Sequence, residues 1–349
     1  MIDGGGRGSK RGGKRDGERY LVVRLTALGD ILHTVPAVAA LRNAHKGARI
    51  DWVVDQKWAP VLEGSPALNE VIPFNRRSAM GTVDCVRRLR QNHYTCAIDF
   101  QGLYKSSFLA MLSGAPRRIG FDRAWAREGA AALFYTERVT PVGPHVAELN
   151  YSLAEQAGAA RPAAPEYPLR VPAGGAASVR ARLGELGITS YVVVAPGGSW
   201  RAKCWPAEKF GEFCRELEQK NDLHIVIVYG PGEESLADQV RASAAPALPV
   251  VMRTTIEELM GMLAHARCVV AVDSGPLHLA AALGTKVVGL YGPTDPARNG
   301  PFVPGAIVLS KARPEEISYK RRTAYSPAML RITVKQVLDA TLSCLQASA

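Results

Sequence analysis

The sequence predicts an α/β protein built as two doubly wound halves, each around a parallel sheet. Three observations predict it. Short apolar runs of the kind that form buried strands alternate with helical patterns. Several of these runs end in turns rich in Gly, Asp and Ser just ahead of a helix. The alternation stops at an Ala-, Pro- and Gly-rich stretch, 158–177, and then restarts, which marks an interdomain linker. The 349 residues suit two domains of ordinary size.

Taken in order, residues 1–18 carry Gly, Lys and Arg with almost nothing to bury, and read as a disordered basic tail. Folded chain begins at the strand Tyr20-Leu-Val-Val-Arg24, followed by the turn Leu25–Asp30 and a helical pattern over Ile31–Ala44. Strand Ile50–Val54, strand Cys96–Phe100, helix Lys105–Leu112 and strand Arg118–Phe121 complete the predicted first half, residues 19–165. The second half, 166–330, opens with strand Tyr191–Ala195, a Gly turn and a helix from Pro206 to Lys220. Strand His224–Tyr229 leads into Gly230-Pro-Gly-Glu-Glu234 and a helix; strand Cys268–Val272 leads into Asp273-Ser-Gly-Pro-Leu-His278 and a short helix. Strand Lys286–Tyr291 precedes Gly292-Pro-Thr-Asp295, and a last helix spans Thr333–Gln346 within 331–349.

Composition excludes several classes. Apolar residues are 47% and charged residues 21%, a globular balance. No apolar run approaches the roughly 18 residues that span a bilayer, and Met1–Arg19 lacks the apolar core of a secretory signal, so a cytoplasmic location is expected. The six Cys form no CxxC pair, which removes the zinc-ribbon and thioredoxin readings and leaves reduced, buried thiols. A net charge of +11 suits acidic partners: phosphorylated substrates, an anionic membrane surface or nucleic acid. No zinc finger, RNP1 signature or basic helical region supports the last of these.

Neither GxGxxG nor Walker A follows any strand, and GxSxG and HExxH are absent. No two Asp residues stand two apart, so the Asp-x-Asp device for holding a divalent metal on a nucleotide sugar is missing and a metal-free reaction is expected. What is present lies at strand ends, where open parallel sheets bind ligands. Gly197-Gly-Ser199 and Lys203, between a strand and a helix, offer backbone N–H groups, a helix N-terminus and a point charge to a phosphate, or form an ordinary turn with a solvated Lys. Asp273, Ser274, Gly275 and His278 make a second such turn, Ser274 being placed to cap the helix and Gly275-Pro276 to begin it. Glu233 either meets ribose hydroxyls or partners its helix dipole. Asp30 is either a helix N-cap or a carboxylate placed to take a proton from a hydroxyl. Arg76, Arg77, Lys105, Arg117, Arg118, Arg123 and Arg127 supply cations near predicted strand ends for an acidic acceptor.

Five segments in order carry a family resemblance: Leu-Gly-Asp-Ile-Leu-His-Thr (28–34), Asp-Phe-Gln-Gly-Leu-Tyr-Lys-Ser (99–106), Lys-Cys-Trp-Pro (203–206), Asp-Ser-Gly-Pro-Leu-His-Leu-Ala (273–280) and Tyr-Gly-Pro-Thr-Asp-Pro (291–296). From about residue 20 onward the chain resembles the lipopolysaccharide heptosyltransferases, glycosyltransferase family nine. The resemblance implies a GT-B architecture, two Rossmann-like domains facing a central cleft, with the last helix packed back on the first domain. It implies inverting, metal-independent transfer of heptose from ADP-heptose to the Kdo/inner-core region of lipopolysaccharide. The implied partners are the nucleotide-sugar donor and a lipid-anchored Kdo/lipid A acceptor, and the net charge of +11 fits peripheral contact with anionic lipid at the cytoplasmic membrane face. On this likeness Asp30 is the general base, and Ser199, Lys203, Glu233, Asp273, Ser274, Gly275 and His278 hold the donor. Arg76, Arg77, Lys105 and Arg127 hold acceptor carboxylates. Asp99-x-Gln-Gly-Leu-x-Lys-Ser106 and Ala126-Arg-Glu128 look more like the first heptosyltransferase than the second. The alternatives are a heptosyltransferase II-like enzyme with another acceptor or sugar, and a GT-B nucleotide-sugar epimerase.

Overall fold

A computed structural model describes residues 17–75 and 77–346. Most of the basic tail and Arg76 therefore lie outside the described residues. The first half runs β1 (Arg19–Val23), α1 (Leu28–Leu32), α2 (Val35–Ala44), β2 (Arg49–Asp55), α3 (Ala59–Leu62), β3 (Glu70–Phe74), α4 (Ala79–Gln91), β4 (Cys96–Asp99), α5 (Tyr104–Leu112), β5 (Arg117–Phe121), β6 (Glu137–Val139) and α6 (Val146–Gln156). The second half runs α7 (Ala173–Glu185), β7 (Tyr191–Ala195), α8 (Ala207–Lys220), β8 (His224–Tyr229), α9 (Glu234–Ser243), β9 (Val250–Arg253), α10 (Ile256–Ala264), β10 (Cys268–Val272), α11 (Gly275–Ala282), β11 (Val287–Tyr291), α12 (Pro296–Asn299), β12 (Ile307–Ser310), α13 (Pro327–Leu330) and α14 (Val334–Gln346).

Both sheets have six parallel strands, ordered β3-β2-β1-β4-β5-β6 and β12-β11-β10-β7-β8-β9. Read from its first strand, each follows the same doubly wound plan. The strand order reverses between β1 and β4 in one sheet and between β7 and β10 in the other, and such a reversal opens a crevice at the carboxyl ends. The central strands read as unbroken apolar runs because helices cover both faces: every residue of β7, β10 and β11 is buried. On the first sheet, α4 and α5 cover one face through Cys85, Leu89, Leu109 and Ala110, and α2 and α6 cover the other. The six cysteines are free and buried.

The two halves share apolar core. Leu28 and Leu32 of α1 and Val61 of α3 are buried in the cluster formed by α7, α10, α11 and one face of the second sheet. Burying each Leu is worth roughly 1.5–3 kcal/mol. The approach of α1 to α11 depends on two glycines. A Cβ on Gly275 would stand 2.8 Å from Leu28 Cδ2, and one on Gly29 would stand 3.0 Å from the His278 ring.

Three expectations need correction. The helical pattern over Ile31–Ala44 is two helices, broken at His33-Thr34, and the first begins earlier, at Leu28. Asp30 is thus the third residue of α1, not its N-cap. The linker expected over 158–177 is irregular only to Pro172, the N-cap of α7, which begins at Ala173. The last helix does not pack on the first half. α14 lies against α8 and strands β10 to β12, burying Val337, Leu338 and Cys344 in the second half's own core. Its apolar stripe matches that sheet face, which it and α8 cover together.

Candidate functional site

The carboxyl ends of the two sheets enclose a cavity of about 1000 Å³ between the halves. Its walls come from the loops after β1, β2, β4 and β5 of the first half and β7 to β10 of the second, with Arg298 and Asn299 at α12.

In the first half, the residue just after β1 is Arg24, which is buried. Its guanidinium donates to Phe100 O and lies 3.1 Å from Asp30 Oδ2. Burial pulls the Arg24 pKa down, and the Asp30 charge opposes this. Arg127 Nη1, from the loop after β5, approaches the same Asp30 oxygen at 3.4 Å. Two guanidiniums thus orient one carboxylate. α1 is held from behind: Thr34 Oγ1 donates to Asp30 O at 2.8 Å, and Asn150 Nδ2 of α6 donates to His33 O at 2.9 Å. The turn after β4 is organised by Asp99, which accepts from Tyr135 OH at 2.7 Å, Ser106 Oγ at 2.8 Å and Gln101 N at 2.8 Å. Burial pushes this carboxyl up, and the hydrogen bonds oppose it. Gln101 Oε1 accepts from Leu25 N at 2.7 Å and so ties the β4 turn to the β1 turn.

In the second half, Asp273 is the hub. Lys203 Nζ stands 2.5 Å from its Oδ2, Thr294 Oγ1 donates at 2.7 Å, Asn299 Nδ2 donates at 3.2 Å, and His278 Nε2 faces Oδ1 at 3.4 Å. Burial would raise the Asp273 pKa; the His278 hydrogen bond and the Lys203 charge outweigh it and hold the carboxyl well below its ordinary range. Lys203 also lies over the Trp200 ring, 4.4 Å from its centroid. Glu233 accepts from Gly230 N at 2.9 Å, and Gly197 lacks a side chain because a Cβ there would meet Glu233 Oε1 at 2.1 Å.

A row of rings joins the halves. His33 meets His278 edge-on at 4.6 Å between centroids and His145 at 5.1 Å. His145 Nδ1 accepts from Ala147 N while Nε2 donates to Gly300 O, which fixes a neutral tautomer. Burial holds the pKa of His33 well below its usual value, and that of His145 below it.

Among the described residues, seven buried side-chain nitrogens or oxygens have no partner within the chain, and five line this cavity: Arg24 Nε, His33 Nε2, Trp200 Nε1, Ser274 Oγ and His278 Nδ1. Buried polar groups are nearly always satisfied. A concentration of orphans around one cavity is the signature of a polar ligand site. No group of three His, Cys, Asp or Glu side chains among the described residues is arranged to hold a metal ion.

The profile of glycosyltransferase family 9 (heptosyltransferase) matches residues 83–329. The chain belongs to this family. It is 31% identical over 322 residues to lipopolysaccharide heptosyltransferase 1 of Pseudomonas aeruginosa, covering 88% of each chain. The crystal structure of the glycosyl transferase family 9 from Veillonella parvula superposes with a TM-score of 0.84 at 22% identity, over 97% of this chain and 100% of that one. The E. coli heptosyltransferase WaaC with ADP gives 0.75 at 26% identity, over 93% and 99%. The fold is the GT-B architecture of these heptosyltransferases.

In this family 9 glycosyltransferase, the fold brings Asp30, Arg127, Ser199, Lys203, Glu233, Asp273, Ser274, Gly275 and His278 to one cavity. Ser274 does occupy the N-cap position of α11, but its hydroxyl makes no capping bond and stays available to a ligand. Arg77 and Lys105 do not line the cavity: both are exposed, one beside the start of α4 and the other in the first turn of α5. Sequence reasoning missed Arg24, His33, Trp200, Thr294 and Asn299. Arg24 carried a signal, a charge closing a buried strand. Thr294 sits inside the Tyr-Gly-Pro-Thr-Asp-Pro segment. Trp200 carried only its place in the Gly turn.

Proposed function

We propose that this glycosyltransferase is an inverting, metal-independent heptosyltransferase that moves heptose from ADP-heptose to the Kdo region of lipopolysaccharide inner core. The observation that carries the reading is the five orphaned polar atoms gathered on a cavity that also holds Asp30. Trp200 Nε1 and Ser274 Oγ are donors, and with the N-terminus of α11 they suit an anionic group such as a diphosphate. Glu233 stands at the ribose end. The Lys203–Asp273 pair fixes an ammonium against the same wall, placed to stabilise charge on the departing ADP.

On the opposing wall Asp30 is the base. The acceptor hydroxyl gives its proton to the Asp30 carboxylate while its oxygen bonds to the anomeric carbon. The bond from that carbon to the diphosphate oxygen breaks, and ADP leaves with the electron pair. Attack from the face opposite ADP inverts the anomeric centre. Arg24 and Arg127 hold the base in position. Arg127, mostly exposed, also supplies a cation to an acceptor carboxylate. The Gln101 and Arg127 segments favour the Kdo-directed, type I acceptor, as does the name of the Pseudomonas relative.

The test is ADP release from ADP-heptose with Kdo-bearing lipid A in the presence of EDTA. Acceptor-dependent release is expected. Asp30→Ala is expected to lower turnover by about 10²–10⁴-fold, the usual worth of a general base, with ADP binding retained. Near-full activity of that variant would overturn the assignment. ADP-heptose binding without release would remove the acceptor.

A further inference from the structure

The outer surface of the first half is uneven. Met80 and Val83 of α4 are 77% and 57% exposed, and Leu133, in a 3-10 turn over Gly129–Phe134, is 76% exposed. Tyr104 and Phe108 of α5 are also exposed. These side chains share one surface. α4 and α5 lie side by side on the same sheet face, and α5 packs against the 129–134 turn. The rings of Tyr104, Phe108 and Phe134 lie 5.2–6.2 Å apart.

The surface adjoins the cavity. Helices that follow parallel strands start at the carboxyl edge of the sheet, so the first turns of α4 and α5 stand at the rim. Tyr104 N donates to Glu128 at 2.6 Å, and the neighbouring Trp125 and Arg127 line the cavity while remaining exposed.

Cations ring the apolar side chains. Arg77 and Lys105 are exposed beside the starts of α4 and α5, and Arg123 is exposed in the loop before Trp125. Arg87 follows Val83 one turn along α4. The acidic side chains beside them are Asp84, paired with Arg87 at 3.2 Å, and Glu128. Exposed apolar groups of this size, clustered and flanked by cations, complement one kind of surface, where hydrocarbon lies beneath anionic phosphates.

We propose that this face docks on an anionic lipid bilayer. Met80, Phe108 and Leu133 enter the boundary between headgroups and acyl chains, and Arg77 and Lys105 meet lipid phosphates. The purpose of the contact rests on the proposed lipid-anchored acceptor, whose sugar would then rise from the membrane straight into the adjoining cavity. It gives Arg77 and Lys105 a role outside the cavity from which the fold excludes them.

The test is flotation of the full chain with vesicles of phosphatidylglycerol and phosphatidylethanolamine, against vesicles of phosphatidylcholine alone. Binding to the anionic vesicles is expected, weakening as salt rises. Phe108→Glu and Leu133→Glu are each expected to weaken it by about tenfold or more, since a buried apolar side chain is replaced by a like charge. ADP affinity is expected to be unchanged in both, which certifies their folding. Full vesicle binding by both variants would overturn the proposal and place attachment elsewhere, the basic N-terminal residues included. Absence of wild-type binding would overturn it too. So would a wild-type dimer that the variants convert to monomer, which makes the face a contact between copies. If vesicle binding behaves as expected but Kdo-lipid A elicits no ADP release, the docking face stands and the acceptor assignment falls.

Discussion

Asp273 gathers four polar side chains in a space almost closed to water, and the balance of forces on it is informative. Burial opposes its charge; His278 and Lys203 reverse that and leave a carboxylate more acidic than in the unfolded chain, while Thr294 and Asn299 donate to the same oxygen. A carboxyl depressed in the native state adds stability above its unfolded pKa, near 3.9, and loses it as the pH falls through the native value. Asp273→Asn should therefore lower Tm at pH 7, and the gap to wild type should narrow as pH falls below about 4. Thermal melts across pH 7 to 3 check this; a constant gap would mean the carboxylate charge is not what the network holds. Asp30 differs in being partly open and paired with two guanidiniums, as a group that must meet a substrate requires. Neither arrangement could be read locally in full: Lys203 lies 70 positions from Asp273, and Arg127 lies 97 from Asp30.

α1 and α11 are short elements that carry opposite sides of the cavity. They touch through Gly29, Gly275, Leu28 and the His33–His278 ring contact. Gly275→Ala would press a methyl against Leu28, an overpacking that costs typically 1–3 kcal/mol. Both Tm and turnover should fall, because separating the helices displaces Asp30 from the donor wall. A variant with lowered Tm and intact turnover would show that the spacing is structural only. The histidine row predicts a pH effect of the opposite kind from a gained ion pair. His33 is held neutral by burial and by neighbouring His278 and His145, so the unfolded chain binds its proton first. Stability should fall as pH drops from 7 through the unfolded value near 6.5, with a slope of at most about 1.4 kcal/mol per pH unit for this group. His33→Gln should flatten the curve in denaturant melts between pH 7.5 and 5.5. Turn residues and glycines in these elements were legible, because strand-to-helix turns have fixed chemistry. The break at His33-Thr34 was not, because α6 imposes it through Asn150.

Across the whole molecule, two sheets of identical strand order place their switch points face to face, and the cavity is the space between them. The shared core through Leu28, Leu32 and Val61 joins the halves behind it. α14 completes the second half alone. Leu338 is 1% exposed there, and Leu338→Ala should cost about 2–5 kcal/mol in denaturant unfolding without altering ADP affinity at low temperature. A cost under 1 kcal/mol would mean the helix contributes little to that core.

Fold class, the restart of the sheet pattern and the strand-end turns that reach the cavity are written in local signals: buried strands are apolar runs, and the turns that follow them are rich in Gly, Asp and Ser. Family membership follows from the same segments. Local pattern does not encode which surface an exposed cation faces or which sheet an amphipathic helix covers. Lys105 and Arg77 read as acceptor ligands yet stand on an outer face, and α14 reads as a helix of either half. Those outcomes depend on long-range packing, where shape and charge from distant segments decide between alternatives that are equivalent along the chain.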